Sequence, residues 1–262
     1  MIQAARPLFI IVLGFAAGFA SGAFGIGGGS ITTPAIRLLL MESSDIALGT
    51  PLPIIFPSAL VGGMNYWRSG KVNHRAFLYC SVFGIAGTVV GSLSTALVDT
   101  RYIMIITALI IIYLAYRTFM TALGRDPYGI LREKSRPTRM DAWKLVLVGL
   151  AAGFFSGFLG LGGGTVLIPA FLFFLHMEVK ESLGTSLVVI AALALPGTFI
   201  HTYLGHVDWW IVLWMTLGVA PGAYVGSFFT LRARNRRILF LFALILLAVG
   251  IIFIFKEVKG LA

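Results

Sequence analysis

Charge is what this chain has least of. Asp, Glu, Lys and Arg make up 11% of its 262 residues, against 58% apolar ones. A soluble domain carries about 25% charge, so this composition excludes a globule folded in water. Acids are scarcer than bases, ten against twenty, and Glu42, Asp45, Asp99, Glu178, Glu181 and Asp208 all fall at the ends of apolar runs. With no carboxylate in mid-run, a relay built on a buried Asp or Glu is disfavoured. The single cysteine, Cys80, rules out an intramolecular disulfide and reads as a small core residue. No glycine-rich stretch is followed by Lys-Ser or Lys-Thr, which excludes a phosphate-loop ATPase. Nothing in the sequence asks for a cofactor or a metal.

Long apolar runs are what the chain has instead: Leu8–Phe24, Ile46–Tyr66, Phe77–Val98, Tyr102–Met120, Leu145–Leu159, Leu183–Thr202, Trp209–Leu231 and Ile238–Phe255. Most reach the 17 to 25 residues that cross a hydrocarbon layer about 30 Å thick. The expected fold is an all-α polytopic membrane protein. The start of the chain, with Arg6 before an apolar stretch, has the look of a signal peptide; the same pattern at Leu145–Leu159 cannot be a leader, so the first segment is expected to be retained. The formal charge of +10 comes largely from Arg68–Arg75, Arg117–Lys144 and Arg232–Arg237. Such patches orient a membrane protein; no nucleic-acid partner is expected. The lipid bilayer and a small anionic substrate are.

The chain is also one unit written twice. GFAAGFASGAFGIGGGSITTPA (Gly14–Ala35) and GLAAGFFSGFLGLGGGTVLIPA (Gly149–Ala170) agree at 13 of 22 positions without a gap. The same 135-residue offset pairs Leu48-Gly49-Thr50 with Leu183-Gly184-Thr185, Gly70 with Gly205, Gly87 with Gly222, Gly91 with Gly226 and Arg101 with Arg236. Two repeats are expected, residues 1–123 and 142–262, joined by a basic linker over 124–141. Each holds about five helical segments, giving 8–10 membrane segments in total: a long helix, a glycine break, a short segment (Ser30–Met41, Thr165–His176) and three further spans. At 1.5 Å per residue the short segment covers only about 18 Å. It either returns as a tilted helix, forms a re-entrant hairpin, or continues the first helix as one discontinuous span. The first two place 15 of the 20 basic residues on one face; the third splits them 12 to 8. The positive-inside bias favours the former, with both termini outside, the linker cytoplasmic and the repeats inverted.

Two kinds of glycine pattern are present. Gly14/Gly18/Gly22, Gly149/Gly153/Gly157, Gly87/Gly91 and Gly222/Gly226 recur every four residues, the flat face that lets helices approach closely. Gly25-Ile26-Gly27-Gly28-Gly29 and Gly160-Leu161-Gly162-Gly163-Gly164 are breaks, because glycine costs about 1 kcal/mol in a helix and permits positive φ. Each break leaves N–H groups at the start of the next helix, around Ser30-Ile31-Thr32 and Thr165-Val166, with Ser30 and Thr165 at the expected cap and Pro34 and Pro169 following. N–H groups and helix dipole make an anion site without a charged side chain. The candidate substrate-binding residues are therefore Gly27, Gly28, Gly29, Ser30, Thr32, Gly162, Gly163, Gly164 and Thr165. Thr50, Thr185 and Ser186 join them as hydroxyls that either donate to an anion or bond back to the helix. His201, the one titratable group within an apolar run, completes the set. Trp67, Trp143, Trp209 and Trp210 mark segment ends as an interfacial belt.

In its duplicated GAFGIGGG and GFLGLGGG motifs, the following Pro34 and Pro169, the ALGT and SLGT stretches and GKVNH/GHVDW, the chain resembles the sulfite exporter TauE/SafE family, also called the 4-toluene sulfonate uptake permease family. The resemblance spans nearly the whole length. It implies membrane transport of sulfite, sulfonates or other sulfur-containing or organic acids in a bacterial or archaeal inner membrane, with the glycine-rich segments Gly25–Gly29 and Gly160–Gly164 at work. The leading expectation is a secondary transporter working by alternating access. A channel or lipid-linked-anion flippase on the same scaffold is the alternative. An intramembrane serine enzyme using Ser21 and His201 is a third, weakened because Ser156 repeats Ser21 as a packing residue would.

Overall fold

Helix ends are set by short polar caps and helix breaks by glycine. In the computed structural model, residues 2–123 and 141–233 are described, together with 240, 241, 243, 244, 247, 248, 250–252 and 254. All but Asp141 of the expected linker over 124–141, and much of the expected last span, lie outside the described residues. The first repeat runs α1 (Ile2–Phe24), α2 (Gly29–Leu38), α3 (Ser44–Gly49), α4 (Pro51–Arg68), α5 (His74–Ser94) and α6 (Thr100–Ala122), with a 3-10 turn at Thr95–Leu97. The second runs α7 (Ala142–Leu159), α8 (Gly164–Pro169) with a π turn at Ala170–Phe174, α9 (Val179–Tyr203) and α10 (Trp209–Arg232). Among the described residues seven helical stretches are long and apolar enough to cross a membrane. The protein is an all-α polytopic membrane protein.

Asn73 accepts from Ala76 N at 3.0 Å to cap α5, and Asp208, its counterpart 135 residues on, accepts from Trp210 N and Ile211 N to cap α10. The apolar run expected from Ile46 divides at Thr50, where Pro51 opens α4. Its counterpart continues unbroken through α9, because Ser186 stands where Pro51 stands in the first copy. Trp67, Trp143, Trp209 and Trp210 are exposed at helix ends, as the belt pattern predicts. Met41 and His176, another offset pair, hold φ of 59° and 54° where the two short segments end.

Among the described residues the most extensive helix contacts join the first half of the chain to the second: α1 to α10, α5 to α7 and α4 to α9. A methyl added at Gly14, Gly18 or Gly22 of α1 would strike the backbone of Met215, Val219 or Ala223 in α10; at Gly149, Gly153 or Gly157 of α7 it would strike Cys80, Gly84 or Thr88 in α5. These are the same contacts with 135 exchanged between partners, and the four-residue glycine spacing is helix packing in both. Along both pairs the numbers rise together, so the helices run parallel. Between α4 and α9 they run oppositely: Leu52 lies on Gly197, and Gly62 on Leu187.

Candidate functional site

The glycine breaks turn the chain back. Gly28 brings its Cα beside Ser21, so that an added Cβ would lie 3.3 Å from Ser21 Cβ, seven residues earlier; a continuous helix would put them about 10 Å apart. Gly163 sits on Ser156 in the same way, at 3.2 Å. The reversal needs Gly25, Gly27 and Gly28 at φ of 69°, 73° and 83°, and Gly160, Gly162 and Gly163 at 64°, 77° and 74°. This is the left-handed region that other residues reach only with strain.

Gly29 and Gly164 serve a different end. Neither has positive φ, but Gly29 abuts the backbone of Leu161 and Gly164 that of Ile26, with an added Cβ only 2.6 Å from Ile26 C. The two breaks therefore touch. Gly27 and Gly162 both rest on Ile55 and Ile190. Ile55 is the twelfth of the 25 residues from Ser44 to Arg68, and Ile190 the twelfth of the 25 from Val179 to Tyr203. The breaks thus meet near the mid-height of the two longest spans.

The helix starts differ from the sequence expectation by two residues. Gly28 and Gly163, not Ser30 and Thr165, are the cap positions, and no side chain caps either helix. Ile31 N and Thr32 N bond to Gly28 O at 2.9 and 2.8 Å, and Val166 N and Leu167 N to Gly163 O at 3.0 and 2.9 Å. The N–H groups without a partner inside the helix are the ones before them, on Gly29, Ser30, Gly164 and Thr165. Ser30 is fully buried and its Oγ has no hydrogen-bond partner. Thr165 is buried at the matched place. Thr32 bonds back to Gly28 O at 3.1 Å, so its hydroxyl serves α2 itself.

The remaining candidates hold the scaffold together across the repeats. Thr50 Oγ1 accepts from Asp208 N at 3.0 Å and Thr185 Oγ1 from Asn73 N at 2.8 Å, each binding a loop of the other copy. Ser186 Oγ donates to Gly25 O at 2.7 Å, while Thr33 Oγ1 reaches Gly160 O at 3.4 Å, so the first carbonyl of each break is held from the opposite repeat. His201 is buried with Nε2 3.0 Å from Gly157 O and Nδ1 3.3 Å from His206 Nδ1. Sequence reasoning missed Thr33, His206 and the Ser58–Ser21 hydroxyl pair at 2.6 Å; the offset between copies gives no signal for Thr33, whose counterpart is Ile168. Thr50→Val and Thr185→Val each leave a loop N–H unbonded. Each is expected to cost about 1–3 kcal/mol of stability, read as a lower unfolding temperature in detergent.

A profile of the family described as "Sulfite exporter TauE/SafE" matches residues 10–253, taking in both breaks and everything between them. The chain belongs to this family. It is 27% identical over 226 residues to "Probable membrane transporter protein YdhB" of Bacillus subtilis, covering 85% of this chain and 90% of that protein. It is 22% identical over 268 residues to "Probable membrane transporter protein YunE" of the same organism, covering 96% and 98%. An archaeal relative, "Probable membrane transporter protein MJ0441" of Methanocaldococcus jannaschii, is 26% identical over 73% of this chain and 70% of its own length. No solved structure matches. The family makes this protein a membrane transporter, not an enzyme, and its substrate a small molecule.

Proposed function

We propose that this transporter moves small anions, sulfite, organosulfonates or related sulfur-containing or organic acids, by alternating access between two inverted repeats. The observation that carries the reading is the meeting of two matched breaks at mid-height, with the buried, unpartnered Ser30 Oγ in the first turn of α2. In the proposal Gly27–Ser30 and Gly162–Thr165 supply N–H groups and hydroxyls to an oxyanion. A site with dipoles but no fixed cation binds an anion and lets it go. Thr32, Thr50, Thr185, Ser186 and His201 shape the walls and loops around it.

Inversion is supported by the antiparallel contact of α4 with its own counterpart α9. Discontinuous helices meeting at the interface of inverted repeats are a recurrent transporter arrangement. The chain-reversing break supports the hairpin readings, which put the 124–141 linker in the cytoplasm and both termini outside an inner membrane. In this conformation the breaks are packed on each other, so passage requires them to part.

The test is radiolabelled sulfite flux into proteoliposomes, with sulfoacetate, taurine, acetate and sulfate as competitors, beside a Gly28→Val/Gly163→Val variant. Saturable flux in the wild type and its loss in a folded variant is the expected result. Flux without saturation points to a channel. Absence of flux with every anion, while a control transporter works, refutes the reading.

A further inference from the structure

The duplication supplies an internal comparison for His201. Its counterpart 135 residues earlier is Tyr66, and that of His206 is Lys71. Tyr66 Oη donates to Gly22 O at 3.2 Å, as His201 Nε2 meets Gly157 O, and Gly22 and Gly157 are again counterparts. Both side chains pin a carbonyl three residues before a break. Tyrosine does this with one hydroxyl. Histidine does the same and brings a second nitrogen, which the packing task does not require.

That nitrogen has a partner that fixes the proton positions. A carbonyl only accepts, so His201 Nε2 carries hydrogen. In neutral His201 Nδ1 is then a lone pair, and the 3.3 Å contact is a bond donated by His206 Nδ1–H. This leaves His206 Nε2 as the open basic atom of the pair. A proton arriving there makes His206 cationic. The charge rests on His206, which is half-buried beside Asp45, while His201 is fully buried with no acid against it; His206 Nδ1–H then holds His201 Nδ1 through a charge-assisted bond. A second proton would set two Nδ1–H groups and two like charges against each other. The pair holds one added proton.

The surrounding charges favour entry on one side. On α3, Asp45 draws His206 toward the cation, against burial, which is the larger effect and lowers its pKa. Asp208, two residues further on, turns its carboxylate to the first N–H groups of α10. From α5, Thr88 and Ser92 lie on Gly157, and neither titrates; the ionisable groups of α5, His74, Arg75, Tyr79 and Cys80, lie in its first two turns. Lys144 of α7 pairs with Asp141, and Lys180 and Glu181 of α9 are bonded to Leu231 O and Asn73, all at helix starts distant from His201. On α6, Arg101 follows Asp99, which accepts its N–H. At the opposite corner Lys71 is held by Glu178 at 3.0 Å, whereas the counterpart of Glu178 is Ser43. One corner is locked by an ion pair; the other can change its charge.

We propose that His201 and His206 form a single-proton binding site, loaded from the Asp45 side, whose filling is coupled to anion movement past the second glycine break. The coupling rests on the anion-transport reading above. A cationic His206 strengthens its bond to His201 Nδ1 and, through that ring, the bond of Nε2–H to Gly157 O, which tightens the last turn of α7 ahead of Gly160. A proton travelling with the anion also cancels its charge, so the paired movement does no work against or with the membrane potential.

Two measurements test it. The chain has four histidines, so ¹⁵N-histidine spectra of the protein in nanodiscs are assignable from single variants. Across about pH 4–9 His201 and His206 are expected to shift together and take up one proton between them. In His201→Tyr, which keeps the Gly157 bond as Tyr66 does, His206 is expected to titrate alone. Two independent full titrations in the wild type, or none, overturn the proton site whether or not any anion is transported.

In proteoliposomes at zero potential, one proton per isethionate makes a gradient of one pH unit accumulate the anion about tenfold. His206→Gln is expected to move isethionate without accumulating it. Accumulation equal to wild type in that variant overturns the coupling. Failure of the wild type to move any anion overturns both the coupling and the transport reading, and leaves the spectra to decide the proton site alone.

Discussion

Gly153→Leu is expected to leave no folded protein. The glycine lies where α7 crosses α5, and a Cβ there falls on the backbone carbonyl of Gly84, 2.8 Å from its Cα. Nothing in that contact is a side chain that could turn aside, so the helices must separate along their length. Overpacking of a tight core costs about 1–3 kcal/mol even when side chains can adjust, and here they cannot. Gly18→Leu, the counterpart in α1 against Val219 of α10, is expected to fail equally. Gly70→Ala and Gly205→Ala are the controls: both have positive φ, at 66° and 74°, but open space around the missing Cβ. Those two carry backbone strain alone, about 1–3 kcal/mol. Fluorescence-monitored size exclusion after membrane extraction should show a monodisperse peak for the controls and none for the leucine variants.

A Gly29→Ala/Gly164→Ala double variant is expected to fold with reduced stability and to lose anion flux by about 100-fold, roughly a 2.7 kcal/mol rise in the barrier. Both residues have ordinary φ, so alanine adds no backbone strain; what it adds is a methyl between the two breaks, against Leu161 and Ile26. If the breaks are the anion path, two methyls set against the Leu161 and Ile26 backbones must push the breaks apart, so flux is read only on protein that elutes as a monodisperse peak. Flux near wild type in the double variant would place the path elsewhere. Gly63→Ala, where a Cβ meets Val188 Cγ2 at 3.0 Å on the α4–α9 contact, serves as the comparison for a packing change away from the breaks.

The glycine breaks were legible because the sequence states them twice. Three glycines together argue for a turn; the same three at the same offset argue for a turn that the fold uses. The four-residue glycine faces were legible as packing surfaces, but not their partners. Nothing in Gly14/Gly18/Gly22 says that the opposing helix begins at Trp209, since any small or apolar ridge fits such a face. The cap positions were misplaced by two residues, because a serine after glycines looks like a cap until the glycine itself is seen to occupy that place. The roles of Thr50 and Thr185 depend on loops more than 100 residues distant, which no local pattern announces. His206 comes five residues after His201 across a turn, outside the three- or four-residue spacing that flags neighbours on a helix.

The crosswise pairing of α1 with α10 and of α5 with α7 bears on how the chain is made. As α1 enters the bilayer its glycine face has no partner, and the partner is some 200 residues from being synthesised. Until then lipid tails occupy the groove. Final assembly is a late event in which helices already inserted exchange lipid contacts for one another, the second stage of membrane-protein folding. Contacts so distant in sequence form slowly. Separately expressed halves should therefore be short-lived alone and become stable when produced in the same cell, where each supplies the surface the other was waiting for.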